Sequence, residues 1–252
     1  MSGHSKWANI KHRKAAQDKK RGKLFTRIIK EITIAARDGG GDSDSNPGLR
    51  LAMQNAKGAN MPKDTVERAI KKGTGGDGAA LAEITFEGYA SNGIAVFVEA
   101  TTDNNNRTVA SVRSVFNKYG GNLGTNGSLS FIFDSKGVFT INKSAIEDKN
   151  LEEFEMELID GGLEEMDEVD DAIILYTSMD DFGNMQSHLE ALNIEISNAE
   201  LQRIPNNTTA LDVEGSKKVL RLIDKMEEDE DVNCVYHNLE MTDELVEVFE
   251  ED

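Results

Sequence analysis

Between Leu24 and Ala36 apolar side chains recur every three or four positions (Phe25, Ile28, Ile29, Ile32, Ala36), while Arg27, Lys30 and Glu31 fall elsewhere. That period predicts an amphipathic helix, which Gly39-Gly40-Gly41 ends. Asn46 reads as an N-cap and Pro47 as the first position of a second helix, whose Leu49, Ala52, Met53, Ala56 and Ala59 share one stripe. Pro62 opens a third short helix, with Val66, Ala69 and Ile70 inward and Gly73 at its end. Residues 22–73 therefore predict a small three-helix unit. Residues 1–21 offer little apolar surface beyond Trp7 and Ile10, and predict a leader that is helical at most in part and mobile until something binds it. Thr74-Gly75-Gly76-Asp77-Gly78 reads as a linker.

Beyond the linker the period becomes two. Ile84, Phe86 and Gly88 alternate with polar residues, and Ile94–Val98 is a continuous apolar run after the turn Ser91-Asn92-Gly93, which predicts a buried strand. Val109, Val112, Phe116 and Tyr119 mark a helix capped within Asp103 to Asn106 and stopped at Gly120-Gly121. Leu129 to Phe133 and Val138 to Ile141 predict a hairpin across Asp134-Ser135-Lys136-Gly137. From Val138 to Ile204 the order is strand (138–142), helix (149–160), strand (163–168), strand (172–178), helix (181–192), strand (194–203), the split βαββαβ arrangement. That set closes on itself, so the strand near Thr208 to Leu211, the helix from Glu214 to Met226 and the strand from Val232 to His237 are expected back in the sheet begun at Ile84. The predicted class is α+β. A small helical N-terminal domain (1–76) precedes two α/β-sandwich domains, with the ferredoxin-like βαββαβ domain (137–204) inserted in the other (79–136 plus 205–252).

Charge changes the picture. The 252-residue chain has a formal net charge of −18, which alone would argue against a polyanionic partner. Residues 1–76, however, carry 17 Lys/Arg against seven Asp/Glu, net +10, and the remainder carries 11 against 39, net −28. Residues 1–37 hold 11 of the cations and only two acids, Asp18 and Glu31. This polarity predicts a basic polyanion-binding module on an acidic body. Two other readings remain open: a solvated helix face, and a basic arm folded onto the chain's own acidic body. The first is disfavoured because Lys19-Lys20-Arg21 stacks like charges instead of mixing signs.

Catalysis is not expected. His4, His12, His188 and His237 are scattered with no metal-ligand spacing, and the carboxylates Glu152, Glu153, Glu155, Glu157, Glu164, Glu165, Asp167 and Glu168 read as a solvated rim with no nucleophile beside them. No metal, cofactor or small-molecule substrate is expected. The single cysteine, Cys234, allows neither an internal disulfide nor a thiolate zinc site. No apolar run approaches the roughly 20 residues of a membrane helix, and Met1 to Trp7 lack a signal peptide's apolar core, so a cytoplasmic protein is expected.

Gly120–Gly127 lacks the Gly-Lys-Ser/Thr ending of a phosphate loop, and it leaves a helix for a strand, the reverse of a nucleotide-binding turn. It reads as a helix stop and strand entry, with a loop that touches a partner as the alternative. Asp103 to Thr108 offers helix N-terminal N–H groups, and Arg107 and Arg113 are among few cations in the body. These two are a secondary anion or partner contact, against the alternative of capping plus an internal salt bridge.

The leader carries the clearest signal. Lys6, Lys11, Arg13, Lys14, Lys19, Lys20, Arg21 and Lys23, continued by Arg27 and Lys30, can each replace a counterion on a phosphate chain, and Trp7 and His12 offer stacking faces for an unpaired base. Trp7 reads equally as a core anchor. Engagement of about six phosphates predicts a slope of log affinity on log salt of about −4 to −5. A thin leader with little rigid surface suits an RNA crevice better than a major groove, and nothing here has the spacing of a base-reading helix-turn-helix.

Met1-Ser2-Gly3-His4-Ser5-Lys6-Trp7-Ala8-Asn9-Ile10-Lys11-His12-Arg13-Lys14, then Asp18 to Phe25, Asn60-Met61-Pro62-Lys63-Asp64 and the loop Gly120 to Gly127 resemble the YebC family along nearly the whole chain. That family includes bacterial proteins named as probable transcriptional regulators and the mitochondrial translational activator of cytochrome c oxidase. The resemblance implies a three-domain protein with one α/β domain inserted in the other. It also implies a non-enzymatic role in gene expression: DNA binding at promoters for some members, ribosome-associated relief of stalling at proline-rich stretches for others. DNA and ribosomal RNA, with the ribosome, are the expected partners, and a protein-interaction scaffold is the remaining alternative. The acidity of residues 147–171 and of Glu247 to Asp252 argues against duplex DNA as a ligand of the body.

Overall fold

A computed structural model of the chain describes residues 21–75, 81–147, 149–242 and 245. The order is α1 (Arg21–Gly39), α2 (Pro47–Gly58), α3 (Lys63–Thr74), β1 (Ala82–Tyr89), β2 (Ala95–Thr102), α4 (Asn105–Lys118), β3 (Asn122–Leu123), β4 (Phe133–Asn142), α5 (Leu151–Ile159), β5 (Leu163–Val169), β6 (Ala172–Ser178), α6 (Phe182–Ala191), β7 (Ile196–Pro205), α7 (Val213–Glu227) and β8 (Val232–His237). The architecture is α+β: a helical N-terminal domain is followed by two α/β sandwiches, the ferredoxin-like one inserted in the other. By compactness the described residues divide into one unit from 21–27, 81–134 and 203–242 with 245, and a second from 28–75, 135–147 and 149–202.

In the first unit the sheet runs β3-β1-β2-β8, with Phe86 opposite Val98 and Val98 opposite Val235. Helices α4 and α7 contribute Val112, Phe116, Val219, Leu220 and Ile223 to a core with Phe86, Val96 and Val98. The other face is covered too, since Leu129 and Phe133 pack with Ala95, Phe97, Cys234 and Tyr236. Cover on both sides is why Ala95-Val96-Phe97-Val98 is a continuous apolar run and not an alternating one.

In the second unit the sheet order is β5-β6-β4-β7, the order of a split βαββαβ motif, and α5 and α6 bury Phe154, Leu158, Met185 and Leu189 against Phe139, Ile141, Ile173 and Leu175. Helix α1 buries Ile28, Ile32 and Ala36, and α2 buries Leu49, Ala52 and Ala56, the stripes read from the period. Asn46 accepts from the Leu49 N–H as an N-cap, and its Nδ2 donates to the carbonyls of Ala35 and Gly40, so one side chain starts α2 and closes α1. Helix α3 approaches α1 at Gly73, where a Cβ would lie 2.4 Å from the Thr33 carbonyl oxygen.

Two local expectations fail. The hairpin across 134–137 is instead one continuous strand, β4, because Gly137 pairs with Thr177 inside the sheet and does not turn the chain. The strand near Thr208 to Leu211 is reduced to a single parallel bridge between Thr209 and Leu239, while β8 joins β2 as expected.

Candidate nucleic-acid interface

Lys6, Trp7, Lys11, His12, Arg13, Lys14, Lys19 and Lys20 lie outside the described residues, as do the expected partial helix and mobility of the leader. Arg21 is described as the first residue of α1. Lys23, Arg27 and Lys30 follow on that helix and are all half-buried. Lys23 Nζ donates to the Asp229 carbonyl oxygen at 2.9 Å, and an Arg27 Nη1–H points at Cys234 Sγ at 3.0 Å. The root of the basic segment is thus tied to the turn before β8 and to β8 itself.

That turn is Glu227-Glu228-Asp229-Glu230-Asp231, five consecutive acids. Adjacent carboxylates of one sign repel unless donors offset them, and Glu228, Asp229 and Asp231 each have one. The Asp229 carboxylate accepts from the Ser111 hydroxyl and the Asp231 N–H, and Glu228 pairs with Lys225. Asp231 is the most enclosed. Arg107 Nη2 donates to its Oδ2 at 2.7 Å and its Oδ1 at 3.0 Å, Arg107 Nε donates to Oδ2 at 3.2 Å, and the Thr108 and Thr102 hydroxyls reach Oδ2 at 2.7 and 3.1 Å. Burial works against the charged form of Asp231, and the hydrogen bonds from Arg107, Thr108 and Thr102 with the nearby positive charge outweigh it, holding the carboxyl below its ordinary pKa.

Arg107 also pairs with Asp103, and the α4 N-terminus is capped by Asn104, which accepts from the Arg107 N–H. Its guanidinium therefore faces carboxylates of its own chain. Arg113, two turns along α4, is exposed. The structure brings Lys23, Arg27 and Arg107 to one acidic turn and its flanks, and does not bring Arg113 into that network. Sequence reasoning missed Asp229 and Asp231 as the partners; the run of five acids ahead of a strand was the available signal, since such a run demands donors from elsewhere.

The glycine-rich segment is also built by a carboxylate. Glu87 of β1 is buried, and accepts from the Gly127 N–H at 2.7 Å and the Leu129 N–H at 2.6 Å, while its carbonyl accepts from the Gly124 N–H at 2.7 Å. The N–H groups of Gly124, Gly127 and Leu129 are thereby committed to Glu87 and are not offered to a phosphate. Gly120 and Gly127 hold φ of +77° and +88°, as a helix stop and a loop tip require.

Among the described residues no group of three or more His, Cys, Asp or Glu side chains comes together in a form that could hold a metal. No helix among them is long and apolar enough to cross a membrane.

Comparison with known proteins agrees along both parts of the chain. Residues 5–76 match the family model described as the TACO1/YebC protein N-terminal domain, and residues 81–239 match the TACO1/YebC second and third domain. A protein of Amoebophilus asiaticus named "Probable transcriptional regulatory protein" is 50% identical over 241 residues, covering 95% of this chain and 98% of that one. A protein of the same name from Thermotoga maritima is 46% identical over 248 residues, covering 98% and 97%. The crystal structure of a conserved hypothetical protein from Aquifex aeolicus superposes with a TM-score of 0.78 at 40% identity, covering 90% of this chain and 93% of that one. The chain belongs to the TACO1/YebC family.

Proposed function

We propose that this chain is a non-enzymatic, nucleic-acid-binding regulator of gene expression that works through its basic N-terminal segment. The observation that carries this reading is the charge polarity: 11 of the 28 cations lie in the first 37 residues beside two acids, against a net −28 beyond residue 76. The names of the relatives, probable transcriptional regulatory proteins, support it at the level of process.

On this reading Lys6, Lys11, Arg13, Lys14, Lys19 and Lys20 neutralise phosphates and Trp7 and His12 stack on bases. Arg21 and Lys30 flank that contact, while Lys23 and Arg27 anchor its root on the acidic turn and β8. Arg113 is the secondary contact; an anion at Arg107 would have to displace Asp231. The domain limits that accompany the proposal are 1–76, 79–136 plus 205–252, and 137–204.

Ribosomal RNA, and not only promoter duplex, is favoured by a specific observation. Lys23 and Arg27, close after the leader, are tied down within the chain, so these two are not free to read base edges in a groove. Binding of the full chain to a promoter duplex and to ribosomes at physiological salt tests the assignment. Ribosome binding with the duplex left free supports the RNA form, duplex binding alone supports the transcriptional form, and failure to bind either overturns the proposal.

A further inference from the structure

Six large apolar side chains are exposed among the described residues: Phe131, Met156, Ile159, Met179, Leu201 and Val213. Five of them are flanked in sequence by an acid, namely Glu155 and Glu157, Asp160, Asp180, Glu200, and Asp212 with Glu214 respectively. Phe131 differs. It is the only aromatic of the six, the most exposed at 72%, and it lies in a stretch, residues 119–133, that holds no charged residue at all. In a body of net −28 that stretch adds no carboxylate of its own, and the Glu87 carboxylate beneath it is buried and taken up by the Gly127 and Leu129 N–H groups.

The backbone that carries Phe131 is fixed on both sides. Upstream, the Glu87 carboxylate holds the Gly127 and Leu129 N–H groups, and Leu129 is fully buried. Downstream, the Ile132 carbonyl accepts from the Asn206 N–H at 2.8 Å, the Phe131 carbonyl accepts from Asn206 Nδ2 at 3.4 Å, and Phe133 is buried. A ring displayed on a preorganised, uncharged loop, with Ser130 exposed beside it, has the properties of a stacking platform, which loses little conformational freedom when an aromatic ligand lands on it.

We propose that Phe131 is a stacking contact for an unpaired nucleobase, which makes single-stranded nucleic acid the ligand of this face. The inference rests on the nucleic-acid-binding reading above and narrows it. A paired base is stacked on both faces, so a duplex offers the ring a face only after a base step is unstacked, at about a few kcal/mol, whereas an unpaired base offers one freely.

The test measures the full chain, its Phe131→Ala and Phe131→Trp variants, and a variant with Lys6, Lys11, Arg13, Lys14, Lys19 and Lys20 all changed to Gln. The probes are a fluorescent 12-nucleotide single-stranded RNA, the same RNA carrying abasic positions, and the corresponding duplex. Phe131→Ala is expected to weaken single-strand binding by about 5- to 100-fold, leave duplex binding unchanged and add nothing to the loss caused by the abasic probe. Phe131→Trp is expected to restore the affinity. Equal binding by the wild type and Phe131→Ala, while the Gln variant loses binding, overturns this inference and leaves the arm reading standing; Phe131 would then serve another partner, such as a protein. An intact chain that binds none of the probes overturns both. Because the side chain is mostly exposed, Phe131→Ala is expected to melt with the wild type.

Discussion

Asn55 and Ala199 are joined through both ends of one carboxamide: Asn55 Nδ2 donates to the Ala199 carbonyl at 2.8 Å and Asn55 Oδ1 accepts the Ala199 N–H at 2.9 Å. A buried side chain on α2 thus completes the hydrogen bonding of a fully buried β7 residue 144 positions away. Asn55→Ala leaves two buried backbone groups unpaired and is expected to destabilise the protein by about 2–4 kcal/mol, seen as a lower urea midpoint. Gly58→Ala is expected to be worse, because its Cβ would lie 1.9 Å from the Ser197 carbonyl oxygen. A Gly58→Ala protein as stable as the wild type would refute this packing.

The Arg107–Asp231 pair sets an acid-side prediction. A carboxylate whose pKa is depressed in the folded state contributes stability that is complete above the unfolded value, about 3.9 for Asp, and is lost as pH falls through the folded value. The wild type is therefore expected to lose stability below about pH 4 more steeply than Asp231→Asn. At neutral pH the variant is expected to be weaker by about 1.5–3 kcal/mol, the scale of hydrogen bonds to a charged group. Urea unfolding at several pH values measures both effects; parallel curves would contradict the assignment.

Glu87→Gln keeps volume but turns an amide NH2 toward one of the N–H groups of Gly127 and Leu129. Faster hydrogen exchange at both amides is expected, with a stability loss of about 1–3 kcal/mol. Unchanged exchange would show that the carboxylate does not hold the loop.

Legibility in the sequence followed the range of the interaction. The helices between residues 21 and 75 were legible because caps and periods are local: Asn46 and Pro47 announce the start of α2, whereas Gly73, read as the end of α3, lies inside that helix, which runs to Thr74. The βαββαβ order was legible for the same reason. Gly137 misled because glycine marks both turns and close approaches; here a Cβ would lie 2.4 Å from Thr177 Oγ1 and 2.7 Å from the Phe182 ring, so the residue makes room inside a sheet. Gly137→Ala is accordingly expected to cost about 1–3 kcal/mol by overpacking, measured by thermal melting. The two-residue β3 was too short for any period to show. Glu87 sits where alternation with Phe86 predicts a solvent-facing side chain, and only the loop arriving some 40 residues later buries it. The cationic arm was legible as charge, whereas the carbonyl, thiol and carboxylate that meet Lys23, Arg27 and Arg107 lie over 120 residues downstream in β8 and its preceding turn.

The salt dependence of nucleic-acid binding tests the central claim most directly. Affinity is measured from about 0.05 to 0.3 M salt for the full chain and for the variant with Lys6, Lys11, Arg13, Lys14, Lys19 and Lys20 changed to Gln. The wild type is expected to show a slope of log affinity on log salt of about −4 to −5, and the variant a slope near zero with weaker binding throughout. Equal affinities and equal slopes for the two proteins would contradict the account.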